Sequence, residues 1–157
     1  MKRILITGMS GNGKTSVLDE LARRGYCTVE TDVGGWSVWA DNGDGHPGWL
    51  WQEERMVALL AEETAKPLFV SGCVANQVRF YDRFDAVVLL SAPLDVILRR
   101  VQERDNNPYG QTPEEREEIA VYWREVEPLL RRGASVEIDS SRMTVSEVAD
   151  ELQKLLV

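Results

Sequence analysis

Apolar and polar positions follow two rhythms along this chain. Short, nearly continuous apolar runs recur, and between them lie segments whose apolar residues are spaced three and four apart. Ile4-Leu5-Ile6 predicts a buried strand over residues 2–7. Val17, Leu18 and Leu21 predict a helix from residue 14 to about 24, with Gly25 as its stop. Tyr26-Cys27-Thr28-Val29-Glu30 predicts a second, short strand. Residues 34–48, rich in Gly, Asp, Asn and Pro, read as irregular. The positions of Trp51, Met56, Val57, Leu59 and Leu60 predict a helix over residues 49–64. Leu68-Phe69-Val70 predicts a third strand, and residues 76–84 a short helix and turn. Ala86-Val87-Val88-Leu89-Leu90 is the most hydrophobic strand. A helix carrying Val96, Ile97, Leu98 and Val101 follows it, then a polar loop over residues 105–111. Thr112-Pro113-Glu114-Glu115 is a capping box opening a helix to about residue 132, with Trp123 on its apolar face and Pro128 as a candidate kink. Residues 134–138 predict a fifth strand, and Thr144 with Glu147 caps a last helix to residue 156.

Strands alternate with helices five times, which predicts one three-layer α/β domain over residues 1–157 with a parallel sheet. Composition changes this picture only by exclusion. A net charge of −8 argues against a broad nucleic-acid surface or an anionic membrane as partner. No apolar stretch approaches a membrane span, and the apolar run after Met1-Lys2-Arg3 is too short for a signal peptide. Two cysteines without a C-x-x-C, and a single His46, disfavour a structural zinc site and suit a reducing cytoplasm.

Chemistry is concentrated at the end of the first strand. Gly8-Met9-Ser10-Gly11-Asn12-Gly13-Lys14-Thr15 is G-x-x-x-x-G-K-[ST], the Walker A pattern, set between a strand and a helix. Glycines there let backbone N–H groups turn toward a phosphate chain, and the helix N-terminus adds positive potential. Gly8, Ser10, Gly11, Asn12, Gly13, Lys14, Thr15 and Ser16 are therefore the nucleotide-binding candidates. Lys14 would reach the β- and γ-phosphates, and Thr15 would place its hydroxyl on Mg²⁺. Glu30-Thr31-Asp32 ends the second strand beside that loop, where an α/β protein places chemistry. Small residues at Ser71-Gly72-Cys73 would let a ligand approach the sheet edge, while Cys73 reads as a packed residue. Arg55 reads either as a surface ion-pair partner or as a binder of an anionic group. Four of the five tryptophans, Trp36, Trp39, Trp49 and Trp51, crowd one short span. They either cap a core or wall an acceptor pocket, and Trp36 is the one taken as a candidate substrate contact.

The loop, the Glu30-Thr31-Asp32 strand end and the helix bearing Arg99, Arg100 and Arg104 resemble those of the small P-loop kinases, in the shikimate-kinase-like and adenylate-kinase-like branch. More narrowly, the chain is similar to small bacterial proteins labelled only as ATPases or predicted kinases. The resemblance spans nearly the whole chain, and its phosphate loop is the specific part. It implies a five-stranded sheet in order 2-3-1-4-5, a lid at about residues 104–113, and Mg-ATP as donor. It implies that Asp32, with Glu30 beside it, supports Mg²⁺ and contacts the acceptor hydroxyl. It places Arg55 at the acceptor, Arg100 over the adenine and Arg104 as the lid arginine, and Arg142 joins the nucleotide contacts. Glu30 stands where the family has Asp, Asn106-Asn107-Pro108-Tyr109 replaces the usual lid sequence, and Ser71-Gly72-Cys73 replaces a glycine triplet. The tryptophans point to an acceptor other than shikimate, one with an apolar or aromatic part.

These readings converge on phosphoryl transfer from Mg-ATP to a hydroxyl of a small-molecule acceptor, by a monomer or homodimer. Lys14, Asp32, Arg100 and Arg104 are the expected catalytic residues, and Thr15 and Asp32 the metal ligands. Glu30, Asp32, Trp36, Arg55 and Gly72 are the expected acceptor contacts. A nucleoside monophosphate kinase would need more basic residues at the acceptor than Arg55 and Arg79. A nucleotide-binding regulatory ATPase would need no acceptor. The absence of an N-K-x-D run disfavours a GTPase, and residues 86–90 lack the acidic end of a hexameric ATPase strand.

Overall fold

The computed structural model describes residues 2–9, 11–104 and 108–157. Its centre is a parallel sheet of five strands: β1 (Arg3–Thr7), β2 (Cys27–Glu30), β5 (Leu68–Ser71), β6 (Ala86–Ser91) and β7 (Val136–Asp139). They lie in the order β2-β5-β1-β6-β7, which is the expected 2-3-1-4-5 once the parallel strands alone are counted. β1 is central, with Leu5 opposite both Val70 and Val87. Its alternate residues feed two cores. Ile4 and Ile6 pack with Val88 and Leu90 against α1 (Lys14–Arg23) and α6 (Val145–Lys154). Leu5 and Val87 face the opposite side, against Met56 and Leu60 of α2 (Glu53–Ala61) and the 3-10 turn Gln77–Arg83. A strand buried on both faces has no polar side to show, which is why these runs are continuously apolar. The helices complete the three layers.

Residues 34–48 differ from the sequence expectation. They contribute most of an antiparallel hairpin, β3 (Ser37–Asp41) with β4 (Pro47–Trp51). Asp41 closes its turn by accepting from the Gly43 and Gly45 N–H groups, at 2.8 and 3.1 Å. The helix predicted from residue 49 therefore starts only at Glu53, because residues 49–51 are spent in β4. Asn42-Gly43 and Asp44-Gly45 between alternating apolar positions were the missed hairpin signal. The long helix predicted from Thr112 divides at Val126 into α4 (Pro113–Glu125) and α5 (Glu127–Gly133), with Pro128 in the first turn of α5. α3 (Leu94–Glu103) packs on α4 through Ile97, Val101 and Ile119. Both sequence-read capping boxes are present, at Thr112 with Glu115 and at Thr144 with Glu147.

Candidate active site

β1 ends at Thr7, and the chain turns through the glycine-rich loop into α1. Gly11 shows why glycine is needed. Its φ is +91°, and a Cβ there would stand 3.0 Å from both Ile97 and Val101 of α3. Gly13 caps α1 at φ +87°, so the first N–H groups of the helix open into the loop. Asn12 is fully buried, and its side-chain amide donates to the Leu90 carbonyl, pinning the loop to β6. Its Oδ1 has no hydrogen-bond partner among the described residues. Lys14 folds back across the loop, its Nζ donating to the carbonyls of Gly8 and, at 3.1 Å, Met9. Ser16 is exposed on the first turn of α1, and Ser10 lies outside the described residues.

The end of β2, one strand beyond β5, adds the carboxylates. Thr15 Oγ1 donates to Glu30 Oε1 at 2.6 Å, so the hydroxyl assigned to the metal already touches a carboxylate. Thr31 is buried, and Asp32 after it is exposed. Cys73, at the end of β5, ties this corner together. Burial pushes its thiol up, the Lys14 charge and hydrogen bonding by Thr7 pull it down, and the Asp32 carboxylate pushes it up again. Lys14, Asp32 and Cys73 therefore share one neighbourhood, and the thiol there is held protonated rather than as a nucleophile.

Gly72, Arg55 and Arg100 each meet partners within the folded chain. Gly72 is buried, and its expected role at a ligand gives way to packing. A Cβ there would lie 2.3 Å from Thr31 Oγ1 and 3.1 Å from the Trp51 indole, so the space belongs to those side chains. Trp51 fills it, its Nε1 donating to Thr31 Oγ1 at 2.8 Å, and Thr31 in turn donates to Ser71 O at 2.8 Å. The Arg55 guanidinium lies 4.0 Å over the Trp36 ring and donates to Gly34 O at 3.0 Å. Arg100 donates to Ser140 Oγ and O at 2.9 and 2.8 Å and to Gly11 O at 3.4 Å. Those bonds tie the phosphate loop to the turn after β7. Arg142 is exposed on that same turn, and with Arg100 it helps hold Asp139 below the usual carboxylate range, after the Ser141 hydrogen bonds that dominate the shift. Arg104 follows α3, and its Nη2 donates to Tyr109 O at 2.7 Å. Asp105, Asn106 and Asn107 of the predicted lid lie outside the described residues.

Sequence reasoning missed Asn76 and Gln77. Asn76 pairs with the Trp51 main chain, accepting from its N–H at 2.9 Å and donating to its carbonyl at 3.1 Å. Gln77 donates to Thr7 Oγ1 and to the Tyr81 hydroxyl, both at 2.9 Å. Nothing in the local sequence announces either contact. An open hollow of about 630 Å³ lies between the hairpin, the start of α2 and Arg79, and neither Lys14 nor Asp32 lines it. No group of three or more His, Cys, Asp or Glu side chains among the described residues forms a metal cage.

A Walker-type loop on a 2-3-1-4-5 parallel sheet, with carboxylates at the end of the second strand, defines a P-loop nucleotide-binding domain. The AAA domain family model matches residues 4–121, and the chain belongs to that family. Among curated proteins it is 27% identical to a shikimate kinase of Aromatoleum aromaticum, over 98% of this chain and 93% of that one. Among solved structures it resembles shikimate kinase from Acinetobacter baumannii in complex with shikimate (TM-score 0.66, 21% identity, 99% and 93% of the two chains). It also resembles a gluconokinase from Sinorhizobium meliloti (TM-score 0.56, 21% identity, 99% and 91%). The structural likenesses establish the fold.

Proposed function

We propose that this protein is a small-molecule kinase, moving the γ-phosphoryl group of Mg-ATP to a hydroxyl of its acceptor. The observation that carries the reading is the corner where the Lys14 loop, the Thr15–Glu30 contact and Asp32 meet at the same end of the sheet. The kinase names of the relatives support it. The donor set suits Mg²⁺, which keeps its waters and takes few protein oxygens beside the phosphates. Thr15 and the carboxylates of Glu30 and Asp32 would hold it, and the ion would supply charge neutralisation at the phosphates.

The chain's own residues then do mostly positioning and electrostatics. Lys14 exchanges loop carbonyls for phosphate oxygens, a stronger, charge-assisted partnership. Gly11, Asn12 and Gly13 shape the backbone cradle, and Arg100 and Arg142 flank the nucleotide. Asp32 orients the acceptor hydroxyl and takes its proton late, as a loose transition state allows. Arg104 sits at the hinge of the lid, whose closure excludes water. A phosphate-bearing acceptor fits poorly, because Arg55 is stacked on Trp36 and Arg79 is paired with Glu53 at 2.7 Å. A soluble cytoplasmic monomer or homodimer goes with this reading. No helix among the described residues is long and apolar enough to cross a membrane, and both cysteines are free.

The test is ADP release from Mg-ATP with pooled hydroxyl acceptors, for the wild type and Lys14→Ala. Release that depends on an acceptor and disappears in the folded variant is the expected result. Asp32→Asn is expected to cut turnover far more than nucleotide affinity. Slow, acceptor-independent hydrolysis across every pool would instead make the protein a nucleotide switch.

A further inference from the structure

Trp39 and Trp49 are 60% and 56% exposed, although they stand directly opposite each other in the hairpin. Their rings meet edge to face, 5.5 Å apart at 80°. Alternation along β4 puts Trp49 on the same face as Trp51, about 7 Å further along the strand. Trp51 is the indole bonded to Thr31, the residue before Asp32. The Trp49 carbonyl accepts from Ala75 N at 3.2 Å, in the segment that leaves β5 after Cys73. The exposed pair therefore lies on the hairpin face that, at the buried Trp51, packs against Thr31 beside the candidate acceptor side.

Charge identifies what such a surface takes. Residues 30–55 carry six carboxylates, Glu30, Asp32, Asp41, Asp44, Glu53 and Glu54, and a single arginine. That arginine, Arg55, already occupies the face of Trp36. Arg79, the cation approaching from the neighbouring 3-10 turn, is bonded to Glu53 and, at 3.1 Å, to Asn42. Among the described residues no cation lies over Trp39 or Trp49. An anionic acceptor would meet a segment in which carboxylates outnumber arginines six to one, whereas indole faces are the best aromatic partners for an ammonium group.

Resting on the kinase reading above, we infer that the acceptor is a cationic hydroxyl compound, an amino alcohol or amino sugar, whose ammonium group lies against the Trp39–Trp49 pair. The reaction keeps its balance. The acceptor oxygen bonds to the γ-phosphorus as the bond from that phosphorus to the β,γ-bridging oxygen breaks. ADP leaves with the electron pair, and the hydroxyl proton passes to Asp32.

The test is calorimetric binding to the full chain at low ionic strength, with choline and glucosamine as probes and glucose and gluconate as neutral and anionic controls. Choline or glucosamine is expected to bind at least about tenfold more tightly than either control. The double variant Trp39→Ala/Trp49→Ala is expected to erase that preference while binding a non-hydrolysable ATP analogue as the wild type does. Equal affinities, preference for gluconate, no binding of either cation, or a preference that survives in the double variant would each overturn the inference. The kinase reading has its own test in Lys14-dependent ADP release, so the two fail separately.

Discussion

The contact among Thr31, Trp51 and Gly72 shows how much one missing Cβ decides. With the Thr31 hydroxyl 2.3 Å from where it would stand, Gly72→Ala must displace the Thr31 side chain and disturb its bonds to Trp51 and Ser71. The expected cost is about 1–3 kcal/mol. Thermal unfolding checks it, and a variant as stable as the wild type would remove the packing role. Glu127 is the second such residue. Only 3% exposed, with Oε1 lacking a hydrogen-bond partner and Oε2 3.8 Å from Arg131, it has its carboxyl pushed up, chiefly by burial. A carboxyl held above its unfolded value binds its proton more tightly when folded. Its contribution is full below the unfolded pKa of about 4.3 and is lost as pH rises through the folded value. Glu127→Gln is therefore expected to gain Tm relative to the wild type as pH climbs from about 4 to about 7. A constant difference across that range would mean that Glu127 carries no such penalty.

Among the elements, the hairpin is the one whose position the site depends on. Asn76 holds it by acting as a strand partner for Trp51, satisfying one buried donor and one buried acceptor. Asn76→Ala strands both groups at a cost of about 3 kcal/mol, or a fall in Tm of roughly 6–12 °C for a chain of this size. Tryptophan fluorescence is expected to change with it, since β4 also carries Trp49. A fall below about 2 °C would mean that the hairpin is held elsewhere. The helices were more legible than the hairpin. Thr112 and Thr144 announce their capping boxes within four residues, and α1 shows its apolar stripe at Val17, Leu18 and Leu21. The hairpin has only the Asn42-Gly43 and Asp44-Gly45 turns and a short alternation, and its tryptophans mimic a helical start.

At the scale of the whole molecule, the phosphate loop joins β1 to α1, is pinned to β6 by Asn12, and meets the turn after β7 through Arg100. A ligand on that loop bears on the whole sheet. A non-hydrolysable Mg-ATP analogue at a hundred times its Kd is expected to stabilise the fold by about 2.7 kcal/mol, a rise in Tm of roughly 5–11 °C. Lys14→Ala is expected to lose most of that rise, and an equal rise in both proteins would take Lys14 out of nucleotide binding. The sequence by itself determined the strand–loop–helix at Lys14, the alternation that makes three layers, and the helix caps. Each of these is written in neighbours a few residues apart, where periodicity and capping chemistry act. Only the tertiary structure decided that Thr15 meets Glu30, that Trp51 rather than a ligand fills the space at Gly72, that Arg55 covers Trp36, and that Arg100 reaches Ser140. Those partners lie 15 to 40 residues apart. They are brought together by the order in which the strands pack, and no local pattern carries that order.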